Sequence, residues 1–302
     1  MDLKSKIILI YGPTASGKTE FAVKLAKKVK GEIINADSMQ VYKELKILTA
    51  RPLKKDEQNI KHHLYGFKEV KKNFSTGDWI NLVIKKIKLI RKKNKIPILV
   101  GGTGLYFKSM TEGLVEIPNI PTKVRKQIRA LQKKVGQKKF FEKLIKIDPP
   151  ANIKIRPTDV QRSIRAYEVK LFTKRSLFDW YKKTKSKFKN KDFLKLYIEF
   201  PRSELVQRIN LRTKKMLESG SILEVKKFLK LRIPSDKSIS KAIGIVQIKN
   251  LIQNKLSKEH VIEKISIKTR QYAKRQVTWA RGNMKDWKKI KPKDLNSFLK
   301  KI

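Results

Sequence analysis

The chain has 302 residues, 40% of them hydrophobic, with no cysteine and a formal net charge of +49 from 75 Lys and Arg against 26 Asp and Glu. That length allows one large or two modest domains with a sizeable core. The absence of cysteine excludes disulfides and thiolate metal sites, and no apolar run approaches the length of a membrane span. A polyanionic partner is the direct reading of such a charge. Against it, Lys is spread along the whole chain, and Ile and Asn are frequent too, as in proteins from AT-rich genomes; a solvated, compositionally drifted surface accounts for part of the excess. The N-terminus runs straight into a phosphate motif, so no leader peptide is expected and a cytoplasmic location is the default.

In chain order, Ile7–Tyr11 is a short apolar run closed by a Gly-rich turn, which predicts a buried strand. A helix is predicted from about Gly17, with Phe21, Ala22, Leu25 and Ala26 at helical spacing. Glu32–Ala36 reads as the next strand and Leu64–Phe67 as a weaker one. Trp79–Lys93 places Ile80, Val83, Ile84, Ile87 and Ile90 on one helical side, and Ile96–Val100 is a further buried strand ending in GGTG. Leu194–Phe200 is the last clear strand; from Pro201 the chain reads as helical to its end. Strands alternating with helices predict an α/β fold, a parallel sheet with flanking helices. The stretch from about Pro118 to Lys191 is helical, basic and proline-punctuated, so a helical insertion at 118–191 is expected to interrupt a core formed by 1–117 and 192–302.

Gly12, Pro13, Thr14, Ala15, Ser16, Gly17, Lys18 and Thr19 match G-x-x-x-x-G-K-[ST] in full, between a predicted strand and a predicted helix. The glycines let the backbone curl so that its N–H groups face an anion, and the helix N-terminus adds its positive dipole end. Lys18 supplies a point charge, and the Thr19 hydroxyl is a candidate Mg²⁺ ligand. The motif leaves its occupant open: ATP, GTP or another diphosphate fits. No guanine-reading motif and no second Gly-rich cofactor loop is present.

Ligands in open α/β sheets bind beyond the carboxyl ends of the strands. Two more segments belong there, Asn35–Gln40 and Gly101–Tyr106. Asp37 can accept a proton or hold Mg²⁺, and Thr103 can donate and accept hydrogen bonds between glycines that allow close approach. His62 and His63 are adjacent and match no zinc spacing, so they read as structural. In the segment HVIEKISIKTRQYAKRQVTWARG, Val261, Ile262, Ile265, Tyr272, Ala273 and Ala280 share one helical side. Lys264, Lys268, Arg270, Lys274, Arg275 and Arg281 share the other, a face fitted to an RNA backbone or simply solvated.

Taken in order, GPTASGKT, NADSMQVYK, TARP, HHL, PILVGGTGLYF, QRSIRAYEV and TRQYAKRQVTWAR resemble the bacterial tRNA dimethylallyltransferases, also called tRNA isopentenyltransferases, across Ile7 to Arg281. The resemblance implies a P-loop core with a helical insertion. It implies transfer of a dimethylallyl group from dimethylallyl diphosphate, with Mg²⁺, to the exocyclic N6 amine of the adenosine 3′-adjacent to the anticodon, in tRNAs reading codons that begin with U. By the same resemblance Asp37 is the general base, Thr103 orients the amine, and Arg212 helps the cradle hold the diphosphate. Asp37, Ser38, Met39 and Gln40 then meet the flipped base. Arg125 and Gln161, Arg162, Ser163, Ile164 and Arg165 touch the anticodon stem-loop, with a monomer as the expected working state. HHLYGF and KAIGIVQI depart from the family pattern, the first by losing an acidic position and the second at a helix start. The competing expectation is a P-loop kinase for a small molecule or nucleotide, using the same cradle for ATP.

Overall fold

A computed structural model describes residues 3–302. The chain divides into two compact units, one built from residues up to Thr111 together with Phe188–Ile302, the other from Glu112–Lys187. In the first unit the elements before the division are β1 (Ile7–Tyr11), α1 (Lys18–Lys28), β2 (Gly31–Asn35), α2 (Lys54–Glu57), β3 (His62–His63), α3 (Thr76–Arg91), β4 (Ile96–Gly101) and α4 (Gly104–Thr111). The second unit holds α5 (Thr122–Ile147), α6 (Ala151–Lys154), α7 (Val160–Thr173) and α8 (Leu177–Lys182). The first unit then resumes with β5 (Phe193–Ile198), α9 (Arg202–Glu218), α10 (Ser221–Lys230), α11 (Ile245–Ile252), α12 (Lys258–Asn283), β6 (Lys288–Ile290) and α13 (Leu295–Lys301).

The six strands form one sheet in the order β3-β2-β4-β1-β5-β6, and every pairing is parallel. Helices cover both faces, so β1, β2 and β4 are buried throughout and read as continuous apolar runs rather than alternating ones. The two-residue period still divides β1 between two cores. Ile7, Leu9 and Tyr11 pack with Trp79, Val83 and Ile87 of α3 and with Ala280 of α12. Ile8 and Ile10 pack on the opposite face with Phe21, Leu25 and Ala26 of α1 and Phe298 of α13. A third apolar cluster joins Val41, Leu45 and Leu48 to α10, α11 and α12. Ser75 caps α3 in a reciprocal box with Asp78, and the Trp79 indole N–H donates to the Asn35 carbonyl, tying that helix to the end of β2.

Two expectations need correction. The weak strand forms at His62–His63 rather than Leu64–Phe67, because Leu64 turns into the left-handed region at φ 62° and ends the extended run. The region after Pro201 is not wholly helical: Lys288–Ile290 adds a parallel edge strand beside Leu196–Ile198. Three residues of which only Ile290 is buried carry no periodic signal, and the free edge of β5 provides the pairing. Both histidines are engaged by protein groups. The His62 Nδ1 approaches the Ile60 carbonyl at 2.8 Å, and His63 Nε2 bonds Glu32 Oε2 at 2.6 Å. Lys95 reaches the other oxygen of this buried carboxylate at 3.0 Å. Burial pushes the Glu32 carboxyl up, but the hydrogen bonds from His63 and Lys95 outweigh it and hold it below the usual range.

The second unit packs around Phe141, Leu144, Ala166 and Val169, with α5 broken at Gly136, where φ is 77°. Glu168 is buried there and carries Arg129 at 3.8 Å and Arg165 at 3.5 Å. Among the described residues no helix is long and apolar enough to cross a membrane.

Candidate active site

The sheet order brings β2, β4 and β1 side by side, so the turns leaving their carboxyl ends converge. These are the turns carrying Asp37, Thr103 and the phosphate cradle. In the cradle, Ala15 and Gly17 both take the left-handed conformation, with φ of 65° and 78°. Gly17 is the N-cap of α1 and offers no side-chain cap, which leaves the first N–H groups of the helix open to an anion. Thr14 is an exception to the expectation that the whole run faces the anion: its N–H donates to Gln276 Oε1 at 2.8 Å. The Thr14 hydroxyl in turn accepts from Arg212 Nη1 at 3.0 Å, which brings α9 onto the cradle. Ser16 is buried and its hydroxyl has no partner among the described residues.

Lys18 lies in the cradle with its ammonium donating to the Pro13 carbonyl at 3.2 Å. Burial lowers it to about 8; Asp37 opposes that shift and Arg212 adds to it. Arg212 is likewise lowered by burial and supported by Asp37. The two cations and the carboxylate therefore share one electrostatic neighbourhood.

Asp37 is held by its own turn. Its N–H donates to Asn35 Oδ1 at 2.8 Å and its Oδ1 accepts from the Met39 N–H at 2.9 Å, which leaves Oδ2 without a hydrogen bond among the described residues. Thr103 Oγ1 accepts from the Ser38 N–H at 2.9 Å and donates to the Ser38 hydroxyl at 3.3 Å. A hydroxyl has two lone pairs, so one acceptor site on Thr103 remains free beside Asp37. Close packing forces the glycines of this turn: a Cβ on Gly101 would overlap the Ala36 backbone, and one on Gly102 would overlap the Gln276 side chain.

Met39 is half-buried and packs against the apolar cluster around Val41. The Gln40 amide nitrogen donates to the carbonyls of Thr49 and Ala50, both at 3.0 Å, so only its Oε1 is left to meet a base. In the second unit Asp159 caps α7, accepting from the Arg162 N–H. Gln161 and Arg162 are exposed and Arg165 is half-buried. Ser163 and Ile164 follow the helical period inward, Ser163 bonding the Asp159 carbonyl and Ile164 packing with Ile128 and Phe140. Arg125 is half-buried near the start of α5.

On α12, Val261, Ile265, Ala273 and Ala280 are buried, while Lys264, Lys268, Lys274, Arg275 and Arg281 are exposed, as the helical period predicts. Sequence reasoning assigned no site role to four residues that the structure brings there, although it placed Tyr272 on the inward side of its helix. Gln276 is one. The others are Tyr65, Tyr106 and Tyr272, whose hydroxyls are raised above their ordinary value by burial and then by the charge of Asp37, so they remain neutral. All four lie inside the motifs HHLYGF, GGTGLY and TRQYAKRQ. Tyr106 is fixed by stacking on Trp79, with ring centroids 4.1 Å apart.

A family model described as IPP transferase matches residues 40–283. The chain is 60% identical over 302 residues to the tRNA dimethylallyltransferase of Pelagibacter ubique (strain HTCC1062), covering 100% of this chain and 96% of that one. A crystal structure of a tRNA delta(2)-isopentenylpyrophosphate transferase from Staphylococcus epidermidis is similar with a TM-score of 0.68 at 32% identity, covering 98% of this chain and 96% of that one. A eukaryotic dimethylallyltransferase captured acting on tRNA is similar with a TM-score of 0.83 at 28% identity, covering 95% of this chain and 73% of that one.

Proposed function

The chain belongs to the IPP transferase family, and from that premise we propose that it moves a dimethylallyl group from dimethylallyl diphosphate onto the N6 amine of the adenosine 3′-adjacent to the anticodon, in tRNAs that read codons beginning with U. It is a prenyl transferase, and that family match disfavours phosphoryl transfer from ATP. The observation that carries the reaction is the convergence of a free Asp37 oxygen, a free Thr103 acceptor site and a cationic phosphate cradle at the ends of three neighbouring strands.

The adenine amine is a weak nucleophile because its lone pair is delocalised into the ring. Thr103 accepts one N–H and orients the amine. Asp37 takes the other proton as the nitrogen forms its bond to the allylic carbon. The carbon–oxygen bond to the diphosphate breaks in the same event, and its electron pair leaves on pyrophosphate. Lys18, Arg212 and the N–H groups at the start of α1 stabilise the charge that builds there. The cradle holds a leaving group, and nothing is phosphorylated.

The donor set suits Mg²⁺. The Thr19 hydroxyl makes no hydrogen bond among the described residues, and oxygen ligands are what a hard cation takes. No cluster of three or more acidic or histidine side chains among the described residues could hold a cation unaided, so Thr19 would share it with the diphosphate oxygens. When bound it would neutralise the leaving group. Ser38, Met39 and Gln40 follow Asp37 into the space where the target base, swung out of its stack at a cost of a few kcal/mol, would lie. Arg125 and the helix start formed by Gln161, Arg162, Ser163, Ile164 and Arg165 would meet the anticodon stem-loop. A cytoplasmic monomer is the working unit in this proposal.

Incubation with labelled dimethylallyl diphosphate and an anticodon stem-loop, with ATP as a control, tests this. Label should enter the RNA at the adenosine next to the anticodon. Transfer of phosphate from ATP without prenylation would overturn it.

A further inference from the structure

We propose that Gln276 is a positioning residue, setting the separation between the diphosphate cradle and the Thr103 turn; this rests on the reaction proposed above. The ladder between β1 and β4 ends at the pair Tyr11–Gly101. Beyond that pair no strand pairing joins the two turns. Gln276 supplies the missing rung. Its Oε1 accepts from the Thr14 N–H at 2.8 Å, and its Nε2 donates to the Gly102 carbonyl at 2.8 Å. One planar amide thus bridges a donor on one turn and an acceptor on the other, as a backbone peptide would in a further strand.

Three observations argue that this is more than packing. Gln276 is only 5% exposed, and burying an amide is costly unless its groups are bonded, so filling the space alone would favour an apolar side chain. Gly102 leaves room for it, since a Cβ there would overlap the Gln276 side-chain nitrogen. The Gln276 backbone carbonyl also accepts from the Tyr11 hydroxyl at 2.9 Å, so its backbone is tied to the end of β1 while its side chain bridges the two turns. Each arm ends next to a working group. Gly102 precedes Thr103, and Thr14 carries Arg212. The amide therefore fixes where the leaving group sits relative to the nucleophile. A displacement of about 1 Å between reacting groups costs about 10²-fold in rate.

The test uses the full chain with dimethylallyl diphosphate and an anticodon stem-loop, reading kcat, the stem-loop KM and the melting temperature. Gln276→Met keeps the volume and removes both bonds; kcat should fall about 10²-fold with the stem-loop KM unchanged. Gly102→Ala, which displaces the amide, should lose a similar factor, and the double variant should be no worse than the worse single. Gln276→Glu should recover activity relative to wild type as pH is lowered, because a protonated carboxyl regains a donor for Gly102. A wild-type kcat in Gln276→Met overturns the proposal. So do additive losses in the double variant, a rise in the stem-loop KM alone, or a kcat loss that merely tracks unfolding. If wild type fails to turn over this donor, the reaction proposed above falls, and calorimetry with pyrophosphate alone decides for Gln276. Weaker binding by Gln276→Met then supports the brace, and equal binding removes it.

Discussion

The Ser38 N–H donates to Thr103 Oγ1 across 2.9 Å, although the two residues leave different strands. This bond fastens the turn after β2 to the turn after β4 one residue from Asp37. It also decides what Thr103 can do. With the Ser38 N–H accepted and the Ser38 hydroxyl engaged at 3.3 Å, the oxygen keeps one acceptor site and no spare proton. It can receive a hydrogen bond from an amine but cannot give one to it.

In the proposed reaction, that division of labour leaves proton acceptance to Asp37. Asp37→Asn is the informative variant, because the amide oxygen can still accept from the Met39 N–H and keep the turn intact. General-base contributions are typically 10²–10⁴-fold, so kcat should drop by about that factor while the dissociation constant for the stem-loop stays unchanged. Steady-state kinetics beside an RNA-binding titration checks it. Near-normal turnover would remove Asp37 from the chemistry.

The parts of this site with a local signature were legible in the sequence. The cradle, Asp37 and GGTG are short, sit where apolar runs end, and need only the rule that ligands bind beyond the carboxyl ends of parallel strands. Gln276 was not legible, because a glutamine on a basic helix has the same pattern whether it faces water or a core. Its partners at Thr14 and Gly102 are far away in the chain. The three tyrosines escaped for a similar reason: in a sequence they are ordinary apolar residues, and only folding puts their hydroxyls near Asp37. Ser163 and Ile164 share a motif with exposed residues, but a helix turns adjacent residues to different sides, so their burial shows only in the fold. The edge strand Lys288–Ile290 depends on β5 for its existence and has no signal of its own.

Lys18 yields a pH prediction with two opposite signs. Burial lowers its pKa from 10.5 to about 8 in the folded chain. Between those values the unfolded chain binds more protons than the folded one, so the stability of the ligand-free protein should rise with pH across that window. Affinity for diphosphate should do the reverse. Above about 8 the ammonium is lost unless binding pays for its reprotonation, so affinity falls. Thermal melts and pyrophosphate calorimetry over that range measure both. In Lys18→Met both slopes should become shallower than in wild type; an unchanged slope would assign the titration to another group.

Arg162 and Arg165 stand on one helix but differ in what their removal disturbs. Arg162 is exposed and pairs with Asp159 at 3.4 Å, a surface contact of little energetic weight. Arg165 faces the buried Glu168 at 3.5 Å, and without it Arg129, at 3.8 Å, is the one ion-pair partner left to that carboxylate among the described residues. Arg162→Ala should therefore weaken RNA binding with an unchanged melting temperature and lower the salt slope by about one. Arg165→Ala should weaken RNA binding and also lower the melting temperature. Neither should alter pyrophosphate affinity. A selective loss of pyrophosphate binding would show that these arginines serve the cradle.

Glu224 organises the loop that Gln40 leans on. Its Oε1 accepts from the N–H groups of Lys46 and Ile47 at 2.5 and 2.9 Å, and its Oε2 accepts from that of Leu48 at 2.8 Å. The same loop presents the Thr49 and Ala50 carbonyls to the Gln40 amide. Charge-assisted bonds of this kind contribute about 1.5–3 kcal/mol each, though bonds sharing one carboxylate do not add fully. Glu224→Ala should thus destabilise the chain by about 3 kcal/mol and speed hydrogen exchange at Lys46, Ile47 and Leu48, leaving Ile8 to Ile10 in the sheet protected. Because the loosened loop no longer fixes Gln40, the stem-loop KM should rise while pyrophosphate affinity holds. Glu224→Gln keeps one acceptor and should fall between. If exchange at the three amides is unchanged in Glu224→Ala, the carboxylate does not hold the loop, and Gln40 must be positioned by its own turn.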